Sequence, residues 1–141
     1  AQGRTMTEVI EEVERIKIQQ EIYFIVDNLE YLVRGGRLRK SSGLIGNLLQ
    51  LKPVLTVKEG KLELFDKVRT SSRAIKLMIQ QVEKNKSWLE QLAVIHVQAE
   101  EQALKLQQDL QEQYGITALI SEAGPVIGAH TGPGTLGIAF C

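Results

Sequence analysis

Only one cysteine occurs in the 141-residue chain, and it is the last residue, Cys141. No internal disulfide can form, which fits a cytoplasmic protein. Net charge is lacking too, because 17 Lys and Arg balance 17 Asp and Glu. No basic field is therefore present to recruit nucleic acid or an anionic membrane surface. No apolar run approaches the ~20 residues that span a bilayer, and no signal peptide opens the chain. Two histidines and one cysteine give no metal set. The phosphate-loop lysine pattern is absent, and no pair of acids has a spacing suited to acid–base work.

What is present is a soluble composition, 43% apolar and 24% charged, in a chain long enough to bury a substantial core. Thr5-Met-Thr-Glu8 has the form of a capping box. Met6, Val9, Ile10, Val13 and Ile16 follow as a helical stripe, so a helix runs to about Gln20. Ile22-Tyr-Phe-Ile-Val26 predicts a buried strand, and Asp27 a cap for a short helix that Gly35-Gly36 stops. Ser41 or Ser42 caps a further helix through Leu44, Ile45, Leu48 and Leu49. Residues 53–57 and 61–65 flank Gly60 as a hairpin. Thr70-Ser-Ser72 caps a helix carrying Ile75, Met78, Ile79 and Val82. Leu92–Val97 is a strand, Glu100–Tyr114 a helix ended by Gly115, and Ile116–Ile120 another strand. A glycine-rich loop with room for one helical turn follows, and Leu136–Phe140 closes the chain as a strand. The order predicts an α/β (α+β) fold with a mixed sheet of about five to six strands flanked by helices.

Two constellations point to binding. Val126-Ile-Gly-Ala-His130-Thr-Gly-Pro-Gly134-Thr-Leu-Gly137 sets His130 and Thr131 among four glycines. Glycine lets backbone N–H groups approach a ligand closely, and a histidine can donate to an anionic oxygen. The bland alternative is a tight turn between strands. Arg34-Gly-Gly-Arg37 presents two guanidinium donors around a glycine pair, suited to a carboxylate or phosphate; the alternative is a basic helix end complementing the helix dipole. His96, in an apolar strand, is expected to be a hydrogen-bonded core residue, and Trp88 a packing or interface residue.

With these residues in view, the chain resembles the C-terminal domain of the DegV family of bacterial fatty-acid-binding proteins. Some members are the lipid-carrier subunit of fatty acid kinase. The resemblance rests on Tyr23-Phe-Ile-Val-Asp27, Leu29-Glu-Tyr-Leu32, Arg34-Gly-Gly-Arg37, Lys52-Pro-Val-Leu-Thr56, Lys67-Val-Arg69 and Ile127-Gly-Ala-His-Thr-Gly-Pro-Gly134, in order across about residues 20–140. It implies that residues 1–20 are an interdomain helix left from a missing N-terminal domain, and that 21–141 are the C-terminal domain of a two-domain protein. It also implies a cytoplasmic, non-catalytic carrier without a cofactor, which holds a long-chain fatty acid as ligand and presents it to a kinase catalytic subunit. His130, Thr131, Gly132, Arg34 and Arg37 are the expected ligand-binding residues, near the carboxylate. Two other functions stay open: an enzyme that cradles a phosphate and uses His130 as acid or base, and a partner-docking module.

Overall fold

The structure, a computed structural model, describes residues 3–38 and 51–141. Five helices and six strands occur among them. The helix expected after Ser41 or Ser42 lies outside the described residues. The elements run α1 (Met6–Gln19), β1 (Glu21–Ile25), α2 (Glu30–Arg34), β2 (Lys52–Lys58), β3 (Lys61–Val68) and α3 (Ser71–Lys84). They continue with β4 (Leu92–Val97), α4 (Glu100–Tyr114), β5 (Leu119–Glu122), α5 (Pro125–Thr131) and β6 (Thr135–Phe140).

The six strands form one sheet in the order β3-β2-β1-β6-β4-β5. Every pairing is antiparallel except β4 with β5, where α4 makes the crossover that a parallel pair needs. Side chains alternate across a sheet, and here the two faces have separate tasks. Tyr23, Ile25, Val54, Val94, Ile138 and Phe140 point to one face. They form the main core there with Met78 and Val82 of α3 and Leu106 and Leu110 of α4. Trp88 joins this core by packing on Phe140, ring centroids 5.9 Å apart. His96 is buried, and its Nδ1 accepts the Ala99 N–H at 3.4 Å.

The opposite face carries the other parity. One register row reads Leu119, Ala93, Ala139, Ile22 across β5, β4, β6 and β1, with Val57 opposite Leu62 on β2 and β3. The next reads Ser121, Ile95, Gly137, Phe24, Leu55, Leu64. Phe24 and Leu55 are covered by Leu32 and Leu38 at α2 and the turn after it. Leu119 and Val57 remain exposed. This two-sided apolar demand explains the unbroken Ile22–Val26 run.

Local signals act at several ends. Thr5 forms the capping box: its N–H and Oγ1 donate to Glu8 Oε2 at 2.7 and 2.8 Å, and its Oγ1 accepts Glu8 N–H at 3.4 Å. Thr70 Oγ1 accepts Arg73 N–H at the start of α3. The stripe of α1, by contrast, is largely uncovered: Met6 is 75% exposed and Ile10 55%, and only Ile16 near its end is partly buried beside Leu92 and Phe140. Arg15 ties α1 to the segment leading into β4: it donates to both Glu90 oxygens at 2.8 and 2.9 Å and holds that carboxyl below its ordinary pKa.

Three expectations are corrected. Asp27 does not cap α2; Asn28 Oδ1 accepts the Glu30 N–H at 2.8 Å, and Asp27 pairs with Lys52 at 3.0 Å. The fifth strand begins at Leu119 rather than Ile116, because the segment before it bonds to α4 instead. Ile116 N–H donates to Leu110 O, and Gln107 Nε2 donates to Ala118 O. The glycine-rich segment, expected as a loop with at most one helical turn, is helical over all of Pro125–Thr131. Pro125 pre-sets the first turn, and the helix cost of Gly128 is accepted where α5 lies close on Val97.

Met78 and Leu110 have no exposed surface, so Met78→Ala or Leu110→Ala should each lower unfolding free energy by about 2–5 kcal/mol. Urea denaturation followed by circular dichroism measures this; a loss below about 1 kcal/mol would mean the α3–α4 face is not the main core.

Candidate functional site

The short helices α2 and α5 lie against each other on the open face of the sheet. Backbone comes unusually close to side chain at their junction. A Cβ on Gly35 would overlap the imidazole of His130, and a Cβ on Gly132 would fall 2.5 Å from Cδ2 of Tyr31. A Cβ on Gly134 would meet the Asp27 carboxylate. The two glycine motifs are therefore the two halves of one contact.

The end of α5 is held firmly. Gly132 donates its N–H to Gly128 O at 2.8 Å, and Gly134 donates to Val97 O at 2.9 Å. Thr131 Oγ1 donates to Ile127 O at 3.1 Å. Thr135 Oγ1 reaches back to the carbonyls of Thr131 and Gly132, at 3.2 and 2.8 Å. These bonds change the expected role of the segment. The N–H groups of Gly132 and Gly134 are occupied by the fold, and the Thr131 hydroxyl spends its proton on the backbone.

Beside this junction lies an apolar groove of about 410 Å³. Its floor is sheet: Ile22, Phe24, Ile95 and Gly137. Val57, Gly60 and Leu62 of the β2–β3 hairpin stand on one side, and Val126, Ile127 and Thr131 of α5 on the other. Among the described residues only a few polar groups reach it, chief among them His130 and Arg37. A mostly apolar groove with a few convergent polar groups is the usual form of a small-molecule site.

Of the residues expected from sequence, His130, Thr131 and Arg37 line this groove. Gly132 lies beneath, shaping the end of α5. Arg34 does not line it; its side chain is 77% exposed and pairs with Glu30 at 3.0 Å along α2. Sequence reasoning missed Ile22, Phe24 and Ile95 as floor residues, and Gly35, Tyr31 and Thr135 as supports. The signal for the floor is strand parity: in a strand buried on both faces, alternate apolar residues must serve something other than the main core.

The family model described as uncharacterised protein, DegV family, matches residues 1–141. A DegV domain-containing protein of Clostridium acetobutylicum is 39% identical over 140 residues, covering 98% of this chain and 49% of that protein. The crystal structure of a fatty acid binding DegV family protein from Streptococcus agalactiae superposes with a TM-score of 0.87 at 32% identity, over 98% of this chain and 50% of that one. The Streptococcus pneumoniae fatty acid kinase B3 protein loaded with linoleic acid shares the fold at 22% identity, TM-score 0.82, over 99% of this chain and 50% of that one. The chain thus spans about half the length of these relatives.

Gly132 has φ 80° and ψ 169°, a region open essentially to glycine alone. Gly132→Ala should therefore cost about 1–3 kcal/mol through backbone strain, with Tyr31 displaced in addition. A denaturation midpoint unchanged from wild type would show that the end of α5 is not constrained as described.

Proposed function

Since the chain belongs to the DegV family, we propose that it is one half of a fatty-acid carrier and holds the ligand without catalysing its conversion. The observation that carries this reading is the apolar groove with His130 and Arg37 on its wall. A long-chain fatty acid needs such a site: a wide apolar surface for methylenes and a small polar end for the carboxylate. Burial of about 14 methylenes contributes up to roughly 11 kcal/mol at ~0.8 kcal/mol each. An ionised carboxylate costs several kcal/mol to bury unless charged or hydrogen-bonding partners offset it. His130 supplies a hydrogen bond, and Arg37 a positive charge. Thr131 and Gly132 act by shape and placement of α5 rather than by donating to the ligand.

In this proposal residues 1–20 form the interdomain connection and 21–141 the C-terminal domain. A preceding domain completes the site and covers the exposed stripe of α1. That the chain spans about half of its relatives supports this organisation. A fatty acid kinase is the proposed partner, receiving the carboxylate end for phosphorylation. Arg34, outward-facing on α2, belongs to the partner surface and not to the groove.

His130 as a general base is less well supported. A base is ordinarily oriented through a hydrogen bond on its second ring nitrogen, and Nδ1 of His130 has no partner among the described residues.

The test is mass spectrometry of lipid extracted from the purified full-length protein. A stoichiometric fatty acid is expected; protein that is empty and refuses added fatty acids would end the carrier proposal. In the full-length protein, His130→Ala and Arg37→Ala should each weaken fatty acid retention about tenfold, the scale of one charge-assisted hydrogen bond. Arg34→Ala should retain lipid normally and slow phosphorylation by the kinase. Equal lipid loss in all three variants would contradict this division of roles.

A further inference from the structure

His130 has two ring nitrogens, and they have different surroundings. Nδ1 is buried with no hydrogen-bond partner among the described residues. The residue as a whole is half-buried and lines the groove, so Nε2 is the nitrogen left to face a ligand. What covers Nδ1 is Gly35. A Cβ built there would lie nearest to Nδ1 and almost equally far from Cε1 and Cγ, at 3.1 and 3.2 Å. Both ring neighbours lie farther from that point than Nδ1 does, by much more than they would from a point above the ring face, which places it outward of Nδ1 close to the ring plane, on the line along which Nδ1 directs its lone pair or its N–H. In glycine an α-hydrogen points along the Cβ direction. Nδ1 is thus capped by a C–H group, which can donate weakly to a nitrogen lone pair but would collide with an N–H.

From this we infer that Gly35 is a positioning residue for His130: it seals Nδ1 as a bare acceptor, so the neutral ring carries its proton on Nε2 and offers the groove a fixed N–H donor. In neutral imidazole one nitrogen donates and the other accepts, and the surroundings of each select the tautomer. The carbonyl of Gly35 accepts from Arg37 at 3.4 Å, and its N–H donates to Tyr31 O at 2.9 Å. The peptide groups flanking the seat are therefore engaged elsewhere. A fixed Nε2–H suits an anionic oxygen, a carboxylate above all, and cannot accept a proton at that atom. Within Arg34-Gly-Gly-Arg37, Gly35 thereby becomes the link to His130. The ligand's identity rests on the fatty-acid proposal above; the tautomer does not.

The experiment is a two-bond proton–nitrogen correlation spectrum of ¹⁵N-labelled full-length protein in mildly alkaline buffer. His130 is assigned by the signals lost in His130→Gln. The expected result is the Nε2–H tautomer in the wild-type protein. In Gly35→Ala the His130 signals should shift away from that pattern, with fatty acid retention about tenfold weaker. An Nδ1–H tautomer in the wild type, or His130 signals unchanged in Gly35→Ala, would overturn the inference. If Gly35→Ala fails to fold, the wild-type spectrum alone decides. A protein that shows Nε2–H yet binds no fatty acid would sustain the positioning role and remove only the ligand assignment.

Discussion

Close approach between the turn after α2 and the end of α5 is the constraint on which the site depends. Side chains normally hold helices 8–10 Å apart, and glycine is the residue that permits less. Gly35 admits the imidazole of His130, and Gly132 admits the ring of Tyr31. Both glycines face a side chain of the opposite element, so neither half of the contact has a shape of its own. Thr135 then ties the end of α5 to the first residue of β6, and Gly134 ties the following turn to β4. The histidine is seated against Gly35 at the end of α2, on a helix end that is itself bonded to the sheet, the kind of support a binding group requires.

The groove inherits its shape from the sheet. In the row nearest its centre, Ile95, Gly137 and Phe24 lie side by side on β4, β6 and β1. The absent side chain at Gly137 leaves a trough between two larger ones. Gly137 also runs against Phe24 and the Tyr23 carbonyl, where a Cβ would fall 2.6 and 2.8 Å away. The same glycine that opens the trough thus lets the two strands meet there.

Much of this was legible in the sequence, for identifiable reasons. The Thr5–Glu8 box, the Thr70 cap, the Gly115 stop and the Leu92–Val97 strand are local devices whose partners lie within a few residues. The mixed sheet followed from the order of elements. The less legible parts depend on contacts between distant segments. Asp27 looks like a cap by its neighbours, but Lys52, 25 residues on, engages it instead. Residues 125–131 look mostly like a loop by glycine content, yet they form α5, with Gly128 set close on Val97. Arg34 and Arg37 look equivalent in the motif, and only the turn at Gly35-Gly36 sends them to different surroundings. Gly35 itself reads as a helix stop; its contact with a residue 95 positions away cannot be seen from spacing.

Strand parity has a last consequence. Tyr23, Ile138 and Val94 serve the core, while Phe24, Gly137 and Ile95, their immediate neighbours in sequence, floor the groove. Core packing and groove shape are therefore written on alternate positions of the same three strands. A change of one side chain on the groove parity can reshape the groove without reaching the packed layer behind it. A shift of register by a single residue would exchange the two scripts and ruin both.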